Sequence, residues 1–264
     1  MRDYEKEILN PLLSANDCVR EIIGGIIFIT KTHDKNLPYI FVSGGIHGNE
    51  PAGTYLIKNL ILNPTELSQK LGLSLDFLSK ANWIFAPCIN PTGFNLNTRK
   101  NSQNEDLNRL FSKNKNNIAT KIVMDFLKAK NINYSYTIDL HETLPDEDLS
   151  EVGGEVHPDD FYIYEVCEEK PLRIGVDILE SLWSRGHKTY RGGDVFGDTN
   201  NHGLISYPEA NANAIYAAAA SLDMFLYQNK YTPNALTVET ITSYPLETRM
   251  EQMALVLQQA ALKA

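Results

Sequence analysis

The strongest constraint on the fold is a corner at residues 39–51. Tyr39-Ile40-Phe41-Val42-Ser43 is apolar and rich in aromatic and β-branched residues, the composition of a buried strand. Gly44 and Gly45 break the run, and Pro51 suits the first turn of a helix. A buried strand passing straight into a helix is the repeating step of an α/β sheet, and such folds bind their ligands in the crevice beyond the strand ends. His47 and Glu50 fall in this corner.

The rest of the chain keeps the same alternation. Strands are expected over Ile22–Thr30, Tyr39–Ser43, Trp83–Cys88, Tyr134–His141, Phe161–Val166 and Leu236–Glu239. Helices are expected over about Pro51–Leu62, Ile118–Lys130, Pro171–Trp183, Ala210–Tyr227 and Leu246–Leu262, with Pro64–Lys80 helical or mixed. This predicts an α/β fold: a mixed, mainly parallel sheet flanked by helices on both faces. The 264 residues suit one domain, 1–264, with no linker or repeat to divide it. Long polar loops at 91–117, 142–160 and 190–209 would rise around the strand ends as pocket walls.

Three residues at such strand ends have the chemistry of a metal site. An imidazole and a carboxylate three apart, His47 and Glu50, can share one ion, and His141 closes a second strand. A catalytic zinc takes three protein ligands and leaves one position for water. Each residue alone has a plainer reading: a strand-end histidine at the surface, or a carboxylate favoured by a helix start. Glu239 lies in a strand that otherwise stays apolar, where an unpaired carboxylate costs several kcal/mol. It is a candidate general base, or a strand-end acid facing solvent.

Taken in order, these residues resemble the zinc metallocarboxypeptidases and their wider superfamily, which includes the aspartoacylase and succinylglutamate desuccinylase branch. The resemblance covers most of the chain. It implies one zinc ion on His47, Glu50 and His141, with Glu239 as general base. Asn90-Pro91-Thr92-Gly93 opens the segment carrying Arg99 and then Asp106-Leu107-Asn108-Arg109. The resemblance implies that Asn108 and Arg109 hold the substrate carboxylate, that Arg99 stabilises the oxyanion, and that Asp106 supports a zinc-ligating histidine. The chemistry agrees, since a guanidinium offers a carboxylate two parallel donors. The plainer reading of Arg99 and Arg109 is a solvated loop.

Tyr216 and the segment Ser221-Leu222-Asp223 resemble the tyrosine that caps bound substrate and the floor of the side-chain pocket. Leu222 would suit an apolar terminal side chain. A spacing shifted by one residue would put Asp223 there and favour Lys or Arg. An Ala-rich helix with Tyr216 in the core fits the same residues.

The net charge of −9, with no block of Lys or Arg, argues against a nucleic-acid surface. Cys18, Cys88 and Cys167 are odd in number and widely spaced, which suggests core thiols in a reducing compartment. The charged start, Met1 to Glu7, leads into no sustained apolar stretch, and no run is long enough to span a membrane. The expectation is a soluble, cytoplasmic protein. Its oligomeric state is not legible.

Two features pull the function in opposite directions. His-Gly-Asn-Glu is the form common in the acylase branch, pointing to N-acyl amino acids. Only 25 residues follow Glu239, however, and they read as one helix rather than that branch's C-terminal β-rich domain. The sequence reading is therefore a zinc carboxypeptidase acting on peptides or peptide-like substrates with a free carboxylate. N-acyl amino acid hydrolysis comes second. A zinc-containing protein that binds carboxylate ends without cleaving them is a third reading.

Overall fold

A computed structural model describes residues 2–112, 114–145, 157–208 and 220–264. Strands β1 (Val19–Ile23), β2 (Ile26–Lys31), β3 (Tyr39–Gly44), β4 (Asn82–Ala86), β5 (Tyr134–Thr143), β6 (Tyr162–Val166), β9 (Leu204–Tyr207) and β10 (Ala235–Ile241) form one sheet. Their order is β1-β2-β4-β3-β5-β10-β6-β9. The central ladders β4·β3, β3·β5 and β5·β10 are parallel. β6 runs antiparallel to β10, and β9 parallel to β6. A separate small hairpin joins β7 (Asp194–Val195) to β8 (Asp198–Thr199).

Strand alternation sorts side chains onto two faces, and both faces are covered. Ile27, Ile29, Ile40, Val42 and Phe85 point into one core. There they meet α2 (Ala52–Leu62), α3 (Pro64–Leu71), α6 (Gly175–Ser184) and α8 (Leu246–Lys263), while α1 (Asn10–Leu13) adds Leu12. Their neighbours Ile26, Phe28, Phe41 and Ile84 point into the other core, against α5 (Ile118–Lys130) and α7 (Leu222–Gln228). Asn117 caps α5, its side chain accepting from Thr120 N, and Asn131 ends it in a left-handed turn.

The mixed, mainly parallel α/β sheet agrees with the sequence expectation. The span Ile22–Thr30 does not, because it is a hairpin rather than one strand. Gly24 and Gly25 both have positive φ (56° and 85°), which suits a tight two-residue turn. Ile22 and Ile23 pair back onto Ile27 and Ile26. The loops also carry more order than expected: 91–117 includes α4 (Pro91–Leu96) and a short turn at Leu107–Arg109, and 190–209 includes β7, β8 and β9. Within the expected helix Ala210–Tyr227, α7 occupies Leu222–Gln228, and residues 209–219 lie outside the described ones.

From β3 the chain steps to β4 on one side and then returns to β5 on the other. The sheet order therefore reverses between β3 and β5, and a crevice opens beyond their carboxyl ends. The corner after β3 and the end of β5 meet there.

Candidate metal centre

His47, Glu50 and His141 are all buried and converge in that crevice, with ligand atoms within 4.8 Å of one another. His47 Nδ1 lies 2.7 Å from Glu50 Oε1, and His141 Nδ1 lies 2.8 Å from Glu50 Oε2. The two Nδ1 atoms are 3.2 Å apart. Behind each ring a second carboxylate faces Nε2: Asp106 Oδ1 at 3.2 Å from His47 and Asp139 Oδ2 at 2.9 Å from His141. An ionised carboxylate can only accept, so each Nε2 carries its proton outward. In the neutral tautomer both Nδ1 lone pairs and the Glu50 carboxylate then face a single point.

Three acceptors aimed at one point call for a cation. Tetrahedral zinc with nitrogen bonds of 2.0–2.1 Å places its ligand atoms about 3.3 Å apart, close to the spacing of the two imidazoles. The donor set of two imidazoles and one carboxylate thus fits zinc in both chemistry and spacing.

Local structure explains the convergence. Gly45 (φ 61°) turns the chain out of β3. A Cβ on Gly48 would lie 1.8 Å from the Gly93 carbonyl carbon, so the loop between the ligands packs directly on α4. Asn90 Nδ2 donates to Ile46 O, its Oδ1 accepts from Gly93 N, and Arg2 Nη1 donates to Gly48 O at 2.7 Å. The Asp106 carboxylate also accepts from Asn108 N, capping the Leu107–Arg109 turn.

The charges are strongly coupled. Burial would raise Glu50, but His47 and His141 hold its carboxyl well below the usual range. Burial would likewise depress His141, yet the charges of Asp139 and Glu50 and its hydrogen bonds to them hold it well above its ordinary value. Partial burial would raise Asp106 as well, but its hydrogen bond to His47 and the charges of His47, Arg99 and Arg109 hold it low. Glu239 is the Cα partner of His141 across the β5·β10 ladder. Burial pushes its carboxyl up to about 8; the Glu50 charge adds to this, while His141, the Thr143 hydroxyl and Arg99 oppose it.

Arg99 Nε donates to Asp106 Oδ2 at 3.1 Å, and its Nη1 lies 3.6 Å from Glu50 Oε1. Asn108 is buried, its Oδ1 accepting from Leu222 N and its Nδ2 lying 3.4 Å from His141 Nε2. Arg109 is exposed and donates from Nη1 to Asn108 O. Leu222 is wholly buried in the cluster that holds Phe111, Phe225 and Leu226. Asp223 is buried on the next position of α7. Tyr216 lies outside the described residues.

Three participants were not singled out from sequence. Asp139 backs His141, and Ser43 Oγ in turn donates to Asp139 Oδ1 at 2.8 Å. Glu142 accepts from Ala52 N at the start of α2 and pairs with Arg249 of α8, while its own backbone N–H donates to Glu50 Oε2. Thr143 donates to Glu239. An Asp-x-His on a strand puts both side chains on one face, so the spacing of Asp139 was the available signal.

The model of the succinylglutamate desuccinylase/aspartoacylase catalytic domain matches residues 36–162. Carboxypeptidase SOL1 of Arabidopsis thaliana is 25% identical over 224 residues, covering 80% of this chain and 44% of that protein. The chain therefore matches less than half the length of this curated relative. Among solved structures, a candidate metallopeptidase from Shewanella baltica OS155 superposes with a TM-score of 0.71 at 20% identity, covering 97% of this chain and 90% of the other. A metallo-carboxypeptidase from Pseudomonas aeruginosa, in complex with (2-guanidinoethylmercapto)succinic acid, gives 0.62 at 17% identity, covering 98% and 67%. At these identities the structural likeness concerns the fold.

Proposed function

As this chain belongs to the zinc carboxypeptidase-like superfamily, we propose that it is a zinc-dependent carboxypeptidase that hydrolyses the C-terminal amide bond of peptides or peptide-like substrates. The observation that carries this reading is the convergence of His47 Nδ1, His141 Nδ1 and the Glu50 carboxylate beside Glu239. Pure binding of a carboxylate has no use for a carboxyl held near neutrality at that place.

In this reading His47, Glu50 and His141 hold one zinc ion, which when bound supplies Lewis acidity toward water and the scissile carbonyl. Asp106 and Asp139 fix the ring orientations and keep Nδ1 bare. Glu239 takes one proton from the attacking water, whose oxygen bonds to the carbonyl carbon. As the C–N bond breaks, Glu239 returns the proton to the leaving amine. Arg99 faces the negative charge that develops on the carbonyl oxygen. Arg109, with Asn108 beside it, holds the terminal carboxylate and so sets which bond is cut. The dicarboxylate bound by the Pseudomonas aeruginosa relative supports a substrate with a free carboxylate. The acidic net charge and unpaired thiols support a cytoplasmic enzyme with no nucleic-acid partner. Among the described residues no helix is long and apolar enough to cross a membrane.

The matched family model favours a second reading, hydrolysis of N-acyl amino acids by the same site. One experiment separates the two: zinc-loaded protein is incubated with a pool of free-carboxylate peptides and N-acyl amino acids, and the products are read by mass spectrometry. Loss of single C-terminal residues supports the peptidase. Release of acyl groups alone transfers the assignment to the deacylase, and an unchanged pool overturns both.

A further inference from the structure

Glu239 is held by a hydrogen-bond chain that the proposed mechanism leaves unused. Its Cα partners are His141 on β5 and Tyr162 on β6, so the side chains of three adjacent strands share one face beyond the metal ligands. Thr143, two residues past His141, lies on the same face of β5. Thr143 Oγ1 donates to Glu239 Oε2 at 3.1 Å, and the Tyr162 hydroxyl lies 2.8 Å from Thr143 Oγ1. Thr143 and Tyr162 are both buried, so water does not substitute for either partner.

In the ionised state in which Glu239 serves as the base, proton count sets the direction of this chain. A threonine hydroxyl has one proton, and the carboxylate can only accept it. Tyr162 must then donate to Thr143, giving Tyr162 O–H to Thr143 Oγ1 to Glu239 Oε2. Glu239 Oε2 is thereby held by the protein. A carboxylate on a strand has free rotation about its last bond, and one fixed donor removes that freedom.

We propose that Thr143 and Tyr162 are positioning residues that set which oxygen of Glu239 acts as the base. This rests on the reading of Glu239 as general base. Thr143→Val keeps the shape and removes the hydroxyl, Thr143→Ser keeps the hydroxyl, and Tyr162→Phe removes only the distal donor.

The test compares zinc-loaded wild type, these variants and Glu239→Gln on the same pool of peptides and N-acyl amino acids, with zinc content and thermal midpoint measured for each. Thr143→Val should lower kcat by about 10- to 100-fold, the range seen when outer groups orienting a reactive side chain are removed, with KM and zinc content unchanged. Thr143→Ser should recover most of that loss. Tyr162→Phe should lose less, and the double variant Thr143→Val/Tyr162→Phe should be no worse than Thr143→Val alone, because both act through one chain. Wild-type kcat in Thr143→Val, beside an inactive Glu239→Gln, overturns the positioning role and leaves the base in place. Equal loss in Thr143→Ser and Thr143→Val also overturns it, since packing would then be the cause. Undiminished turnover in Glu239→Gln overturns the base reading and this proposal with it.

Discussion

Asp139 stands two residues before His141 on the same face of β5, with its Oδ2 2.9 Å from His141 Nε2. Ser43, its Cα partner on β3, donates to the other Asp139 oxygen at 2.8 Å. The imidazole is thus oriented by a carboxylate that the neighbouring strand itself holds in place, and Nδ1 is the nitrogen turned toward Glu50.

That relationship predicts the effect of Asp139→Asn. The amide cannot hold Nε2–H as a carboxylate does, so Nδ1 becomes a poorer and less fixed ligand. Zinc affinity should fall by about 10- to 100-fold, measured by competition with a chromogenic chelator, while the thermal midpoint of the metal-free protein changes little. Unchanged affinity would mean that Asp139 serves only the sheet.

The raised carboxyl of Glu239 predicts a pH dependence of stability. Its pKa moves from an ordinary 4.5 up to about 8 in the folded, metal-free protein. The folded state therefore binds more protons than the unfolded state between those values, and stability from this group is present in full below about 4.5 and lost as pH rises through about 8. His141, also raised, acts with the same sign. The thermal midpoint of metal-free protein should fall across this window, and Glu239→Gln should fall less steeply. Parallel curves for the two proteins would refute the shift.

The pair Glu142–Arg249 ties α8 to the metal corner, and Glu142 is buried. Arg249→Met leaves that carboxylate without its counter-charge, a change that costs about 3–5 kcal/mol when a buried pair is broken from one side. Urea denaturation should show that loss, with zinc affinity lowered as well because Glu142 N–H holds Glu50. A loss below about 1 kcal/mol would place the pair among solvated surface pairs.

Gly48 tolerates no side chain. A Cβ there would overlap the Gly93 backbone at 1.8 Å, and backbone cannot move aside as a flexible side chain can. Gly48→Ala should therefore separate His47 from Glu50 and abolish stoichiometric zinc binding in a protein whose far-UV circular dichroism stays near wild type. Full zinc occupancy in that variant would show the loop to be more pliant than its packing implies.

The sequence made the sheet and the His47/Glu50/His141 cluster readable because each depends on local pattern. Apolar runs ending in glycine mark β3, and His47, Glu50 and His141 sit at the ends of such runs. What it concealed depends on partners distant in the chain. Ile22–Thr30 is apolar on both arms, so the hairpin is marked only by Gly24 and Gly25. The edge strand Leu204–Tyr207 lies in a loop rich in Asn, Asp and Gly and is a strand because β6 pairs with it. Thr143 and Tyr162 look like ordinary strand residues until β10 sets Glu239 between their strands. The Ser221-Leu222-Asp223 segment leaves a pocket residue and a core residue equally open in the sequence, and only the fold shows Leu222 buried in the second core.

The central claim is that Glu239 acts as a base beside a zinc ion held by His47, Glu50 and His141. The most direct measurement is turnover and zinc content, side by side, for wild type and Glu239→Gln. The account predicts one equivalent of zinc in both proteins and turnover lower by several orders of magnitude in the variant. Equal turnover, or a variant that loses its zinc along with its activity, would contradict it.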